Sequence, residues 1–408
     1  MTRHQRLSIG PATMVAAAFI GPGTVVSASL AGANYGYALL WALLFAILAS
    51  VILQEMAARL GIVTGQGLGE NIRQTFSQPL ARLLAIALVV SAIVIGNAAY
   101  QSGNIVGASL GLDALTSATF GRQFPFSPWP LLIAAAAFCL LWRGEYRLIE
   151  GVLVSLVLLM SLAFVATLAL TEPDLPALFK GLLRPSIPTG AGLTVIALIG
   201  TTVVPYNLFL HSATASRKWR GVDSLPQARK DIFISIPLGG LVSIAIVATA
   251  ASAFFGRQMT LGGAADIAQS LRPLFGDGAQ YLMGVGLFSA GISSALTAPL
   301  AAAYALSGIL GIKPDLKSMA FRLAWLAILA AGTLAATLEI RPVRLIWFAQ
   351  VANGLLLPVV TAFLLWEMNA PRLGKFRNSP LQNTFGLLVL LVTLVLGAKS
   401  LASAFEYL

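Results

Sequence analysis

Residues Gly10–Thr24 read GPATMVAAAFIGPGT, and the apolar run they open is interrupted at Gly21-Pro22-Gly23-Thr24 before resuming as VVSASLAGA. A helix needs about 20 apolar residues to cross a bilayer, so the interruption falls about half-way across. Proline lacks a backbone N–H and clashes with the preceding helical turn, and the flanking glycines make an extended break inexpensive. The same grammar returns in VIALIGTTVVPYNLFLHSA, where Val204-Pro205-Tyr206-Asn207 interrupts a second apolar run. Each of these two segments is predicted to be a pair of half-helices rather than one continuous helix.

Composition makes the setting a membrane. The 408-residue chain is 58% hydrophobic and 10% charged, against about 25% charged residues in a soluble domain that must cover its surface. The apolar runs are continuous and do not alternate every second residue, which excludes an outer-membrane barrel and leaves helical spans. Read against their breakers, they give eleven spans, at about 10–34, 36–61, 80–110, 128–142, 147–170, 190–216, 231–255, 278–309, 318–338, 344–367 and 383–405. The first run follows Arg3 and Arg6 and leads straight into further spans, so no cleavable signal is expected. Cys139, the single cysteine, excludes an intramolecular disulfide and a cysteine-based metal cluster.

The net charge of +11 follows from topology. With the N-terminus inside, 18 of the 26 Lys and Arg residues fall on the cytoplasmic side and 8 outside, as the positive-inside rule requires. No nucleic-acid partner is implied; the partners are the lipid bilayer and a small ion or polar solute. The localisation expected is a bacterial-type inner membrane, multi-pass, with a cytoplasmic N-terminus. Nothing in the sequence sets an oligomeric state, and no cofactor is implied.

Eleven spans divide as five, five and one. The interrupted spans, first and sixth, hold the same place in each half. An odd number of spans per half turns the second half over relative to the first. The chain is thus expected to be one transmembrane transporter domain, 1–408, with repeats at about 10–170 and 190–367 and an extra helix at about 383–405. Paired Gly/Pro-interrupted segments at matching positions of two halves point to a midplane substrate site. One such feature alone would read as a proline kink.

Each break frees carbonyls at the end of one half-helix and N–H groups at the start of the next. The N–H groups of Gly23, Thr24, Val25, Tyr206 and Asn207 are candidate donors, and the partial positive charge of those helix starts suits an anion or a carbonyl oxygen. Thr24, Ser27, Thr201, Thr202 and Tyr206 add hydroxyls. No carboxylate lies near either break in sequence, and a divalent cation without counter-charge is costly in a low-dielectric site. Glu55, deepest of the acidic residues in a span, has Arg59 four residues on and reads as a helical ion pair. His211, one turn past the second break, is a candidate proton carrier or a histidine bonded within the bundle. Asn97, Tyr100, Gln101 and Asn104 make the third span polar, and Gln350 and Asn353 the tenth; such residues face a bundle interior, lining a path or joining helices. With no acidic partner near His211 in sequence, an enzyme is not expected.

At these residues the chain resembles the NRAMP (natural resistance-associated macrophage protein) family of proton-coupled divalent-metal transporters. The resemblance runs over nearly all eleven spans and is carried by Gly10–Thr24, by QEMAARLGIVTGQGLGE (Gln54–Glu70), VPYNLFLHSA (Val204–Ala213) and QVANGLLLP (Gln350–Pro358). It implies an all-α membrane protein with eleven transmembrane helices. The implied architecture is the leucine-transporter-type (LeuT) fold, a 5+5 inverted repeat plus one helix, working by alternating access. The departures fall on functional positions. The family's Asp-Pro-Gly-Asn is here Gly21-Pro22-Gly23-Thr24, and its Met-Pro-His is Val204-Pro205-Tyr206. Two acidic residues that the family associates with proton movement align with Asn97 and Tyr100, while His211 and Gln350 are kept.

The expectation is therefore a secondary active transporter whose substrate is not a transition metal but a small oxyanion, such as bicarbonate, or a polar solute. Gly21, Gly23, Thr24, Thr201, Val204, Tyr206, Asn207 and Gln350 would bind it, with His211, Asn97 and Tyr100 on a proton or coupling path and no metal ligand. The alternative is a divalent-cation transporter (manganese, magnesium or iron), with or without proton coupling, using carbonyls, Thr24, Asn207 and Gln350.

Overall fold

A computed structural model describes residues 10–120, 127–256, 278–337 and 356–406. The described chain is helical. Seven helices are long and apolar enough to cross a bilayer; the bent pair Pro11–Phe19 and Pro22–Tyr35 makes an eighth span, and Trp129–Arg143, Leu356–Met368 and Pro380–Val395 are shorter apolar helices, eleven segments in all. They fall on the eleven runs read from the sequence.

The first span starts with Pro11, ends its first half at Phe19, restarts at Pro22 and bends by 53° between the halves. Both prolines stand at the first helical position, where the missing N–H costs nothing. The second span, Leu40–Thr64, stops at Gly65, whose φ of 69° is the left-handed conformation that ends helices. The third, Pro79–Phe120, outruns its apolar core. The fourth and fifth, Trp129–Arg143 and Tyr146–Leu170, turn at Gly144. The sixth comprises Gly192–Thr202 and Pro205–Lys218. The seventh, eighth, ninth and eleventh are Leu225–Phe254, Gly278–Leu310, Met319–Thr337 and Pro380–Glu406.

Proline alone does not make the breaks. Pro237 and Pro299 sit inside unbroken helices of the seventh and eighth spans. What distinguishes residues 21 and 204 is an extended backbone immediately before the proline, the conformation that a following proline favours without enforcing.

The interrupted spans lie at the centre. The sixth and eighth are almost wholly enclosed, whereas Leu80, Leu83, Leu84 and Ile95 of the third and Leu158 and Leu162 of the fifth stand exposed, as lipid-facing side chains do. The third span packs along the eighth, the first against the seventh, and the second half of the sixth against the second. The ion pair read from sequence is present: Arg59 Nη2 lies 3.0 Å from Glu55 Oε2. Arg229, at the start of the seventh span, closes on the same carboxylate at 2.9 Å, and Arg59 also donates to Phe376 O and Asn378 Oδ1.

Candidate functional site

The geometry of the first break follows from one chemical fact. In a continuous helix the carbonyl of Ala18 would accept from residue 22, which is proline and has no N–H. The carbonyls of Ala17 and Phe19 lose their donors because the backbone turns away at Gly21. Three carbonyls at a helix end, carrying partial negative charge, would thus face the centre of the protein unpaired. They are not unpaired. Ser293 Oγ lies 3.3 Å from Ala17 O, sharing its proton with Ala290 O. Ala18 O accepts from Ser294 Oγ at 3.2 Å and from Tyr100 Oη at 3.4 Å. Phe19 O accepts from Thr24 Oγ1.

Thr24 also joins the two breaks. Its hydroxyl is 2.7 Å from Thr201 Oγ1; since its one proton goes to Phe19 O, Thr201 is the donor. Two of the sequence-nominated residues, 177 positions apart, therefore meet directly. Gly21 sits opposite Ser294. Its backbone is extended, with φ of −103°, which any residue adopts, so space and not conformation requires glycine here. A Cβ at this position would stand 2.6 Å from Ser294 Oγ and 3.3 Å from Tyr100 Oη.

The second break is different in kind. Val204, fully buried, accepts from Asn207 N–H through its carbonyl at 3.1 Å. The Tyr206 ring stands edge-on to that of Tyr100, with centroids 5.4 Å apart. Asn207 is fully buried, and among the described residues neither its Nδ2 nor its Oδ1 has a hydrogen-bond partner. Leaving an amide so placed costs about 1–3 kcal/mol. Asn97 spends its Nδ2 on Ile93 O of its own helix at 2.8 Å, while its Oδ1 is unpartnered. A small cavity is lined by Asn97, Tyr206, Pro205, Ile93, Gly96, Leu356 and Val360. Among the five N–H donors nominated from sequence, Thr24 and Val25 donate to Gly21 O, and Asn207 to Val204 O. These three are used within their own first turns; Gly23 and Tyr206 make no such bond.

His211 lies on the bundle side of the sixth span. Its Nδ1 is 2.9 Å from Gln54 Oε1 on the second span, both residues buried. Gln101 and Asn104 join helices: Gln101 Nε2 donates to Ala295 O of the eighth span, and Asn104 to Gln101. Gln350 and Asn353 lie outside the described residues. Sequence reasoning missed Ser293 and Ser294; the available signal was the hydroxyl row Ser289, Ser293 and Thr297, spaced four apart in an otherwise apolar span. Among the described residues, no three His, Cys, Asp or Glu side chains group as a metal site would require.

The family model described as "Natural resistance-associated macrophage protein-like" matches residues 12–403. The chain belongs to that family. One relative, the divalent metal cation transporter MntH of Aeromonas hydrophila subsp. hydrophila, is 28% identical over 310 residues, covering 72% of this chain and 71% of its own. The fold is similar to that of a manganese transporter from Eremococcus coleocola, with a TM-score of 0.76 at 22% identity, over 99% of this chain and 88% of that one. MHP1, a nucleobase-cation-symport-1 family transporter solved with bromovinylhydantoin bound, superposes with a TM-score of 0.61 at 17% identity, over 95% and 92% of the two chains. This NRAMP-family chain is thus an all-α, multi-pass inner-membrane transporter with the leucine-transporter-type fold, and not an enzyme.

Proposed function

We propose that this transporter moves a small oxyanion, with bicarbonate as the leading candidate, through a site between the two breaks. The observation that carries the reading is the state of the carbonyls. A dehydrated divalent cation needs several hard oxygen ligands and a counter-charge. At the first break Ala17, Ala18 and Phe19 already accept hydroxyl protons. Among the described residues, the buried side-chain groups near the breaks that have no partner include the Asn207 amide, the Asn97 oxygen and the Ser27 hydroxyl. Donors at a helix start suit a planar oxyanion.

In this reading Gly21, Gly23, Thr24, Thr201, Val204, Tyr206, Asn207 and Gln350 surround the substrate. His211, Asn97 and Tyr100 lie on the coupling path. The whole chain works as one domain of two inverted repeats.

The second reading is a divalent cation, and the comparisons speak for it better than for the first: the relatives carry the names of divalent metal cation and manganese transporters. One feature of the chain also favours it. The carbonyl of Thr201, which Pro205 deprives of its helical donor, accepts no side-chain hydrogen bond among the described residues. Flux into proteoliposomes separates the two. Saturable bicarbonate-dependent flux without manganese or magnesium flux supports the oxyanion. Saturable cation flux indifferent to anions overturns it.

A further inference from the structure

We infer that Ser294 and Tyr100 set the charge selectivity of this transporter by occupying, with their hydroxyls, both the space and the acceptor that a cation ligand at position 21 would use. The inference rests on the oxyanion reading above and assigns its selectivity to two named side chains.

Two features of the geometry coincide. The first is bonding. Ala18 O is the carbonyl that Pro22 permanently orphans, and both hydroxyls converge on it, Ser294 at 3.2 Å and Tyr100 at 3.4 Å. They arrive from two different spans, the eighth and the third, and all three residues are buried. The second is space. The same two hydroxyl oxygens are the atoms that a Cβ on Gly21 would meet, at 2.6 and 3.3 Å, with Ser294 Cβ at 3.3 Å. A contact of 2.6 Å is below any real carbon–oxygen packing distance, and Ser294 is held in place by its bond to Ala18 O. One plug therefore occupies a negative carbonyl and crowds a carboxylate at residue 21, which would have to displace the Ser294 hydroxyl from its bond. Either change alone would leave half of a cation site.

Selectivity then depends on the pair of positions and not on residue 21 by itself. Gly21→Asp alone meets Ser294 and adds no usable ligand. Gly21→Asp combined with Ser294→Gly removes the 2.6 Å contact and one of the two hydroxyls on Ala18 O, so the carboxylate gains room while Tyr100 stays on that carbonyl. The test is manganese binding by isothermal titration to purified wild type, Gly21→Asp, Ser294→Gly and the double variant, with size-exclusion profile and unfolding temperature recorded for each. The double variant is expected to bind manganese at least about tenfold more tightly than Gly21→Asp, since a freed charge–charge contact is worth more than 1.4 kcal/mol. Equal affinities for the two overturn the inference, as does a folded double variant that gains nothing. Where the double variant does not fold, Ser294→Gly and Tyr100→Phe in proteoliposomes decide. Each should raise manganese leak relative to wild type, and an unchanged ratio overturns the plug. Manganese flux by wild type itself would overturn the oxyanion reading, while the ratio between variants would still test the plug.

Discussion

The two breaks occupy matching places in the two halves, yet they have opposite polar economies. At the first, the chain bends by 53° and the carbonyls of Ala17, Ala18 and Phe19 accept from hydroxyls. At the second, the half-helices run on as one span of 27 residues, Gly192–Lys218, and a fully buried asparagine is left with both ends of its amide free. A buried polar group without a partner is costly, and its persistence calls for an explanation such as function. The contrast teaches that symmetry of topology does not carry symmetry of chemistry: three carbonyls of one break hold hydroxyls, and the other holds a buried amide with no partner among the described residues.

The largest effect expected from disturbing this contrast is at Gly21. Gly21→Val places a branched side chain against Ser294 Oγ, so transport should be lost and stability should fall by about 1–3 kcal/mol as in other overpacked cores; thermal unfolding in detergent with a parallel flux assay checks both. Thr24→Val comes next. It strands Phe19 O and Thr201 Oγ1 at nearly unchanged shape, a loss of about 1–3 kcal/mol. Thr201→Val should cost less, because Thr24 keeps its bond to Phe19 O. Unfolding temperatures of the two variants give the order.

Asn207→Leu inverts the usual pattern. Removing an unpartnered amide should leave stability equal or higher while abolishing flux, whereas a drop in stability with flux intact would make Asn207 structural. For His211→Ala the expectation is loss of pH-driven flux with substrate binding still detectable; unchanged coupled flux would place the proton route elsewhere or remove it.

The smallest effect lies outside the spans. Burial raises the Glu70 carboxyl above its usual value of 4.5, against the opposing pull of backbone N–H groups and Arg217. The folded state therefore holds a proton that the unfolded state has released. Stability from this group is fully present below pH 4.5 and declines as pH rises through the raised value. Glu70→Gln should flatten that slope in pH-dependent unfolding.

Much of this was legible in the sequence, and the physics explains the remainder. Among the described residues the apolar helices fell where apolar runs and breakers put them, because a bilayer makes hydrophobicity an almost local property; the first half of the tenth run, 344–355, lies outside those residues. The third span ran to Phe120 rather than stopping near 110, since an apolar run measures what lies in lipid and not where a helix must end. The Glu55–Arg59 pair was visible because its spacing is set within one helix. Its third member, Arg229, was not. The same holds at the site: Thr24, Thr201 and Tyr206 announced themselves as polar groups beside prolines. The sealing of Ala17 and Ala18 depends on Ser293 and Ser294, 276 residues away, and only packing brings them there. His211 was legible as a buried histidine, but its bond to Gln54 was not. The oxyanion expectation came from the ligands missing at residues 21 and 204, and the family's relatives pull the other way by name.

Ligand-dependent unfolding of the purified protein tests the central claim most directly, because whatever binds the folded state raises its unfolding temperature by an amount that grows with the logarithm of ligand concentration above Kd. Titrating bicarbonate and manganese against wild type and Asn207→Leu, the account predicts a concentration-dependent bicarbonate shift that Asn207→Leu abolishes, with no such shift from manganese. A concentration-dependent manganese shift in wild type, with bicarbonate inert, would contradict it.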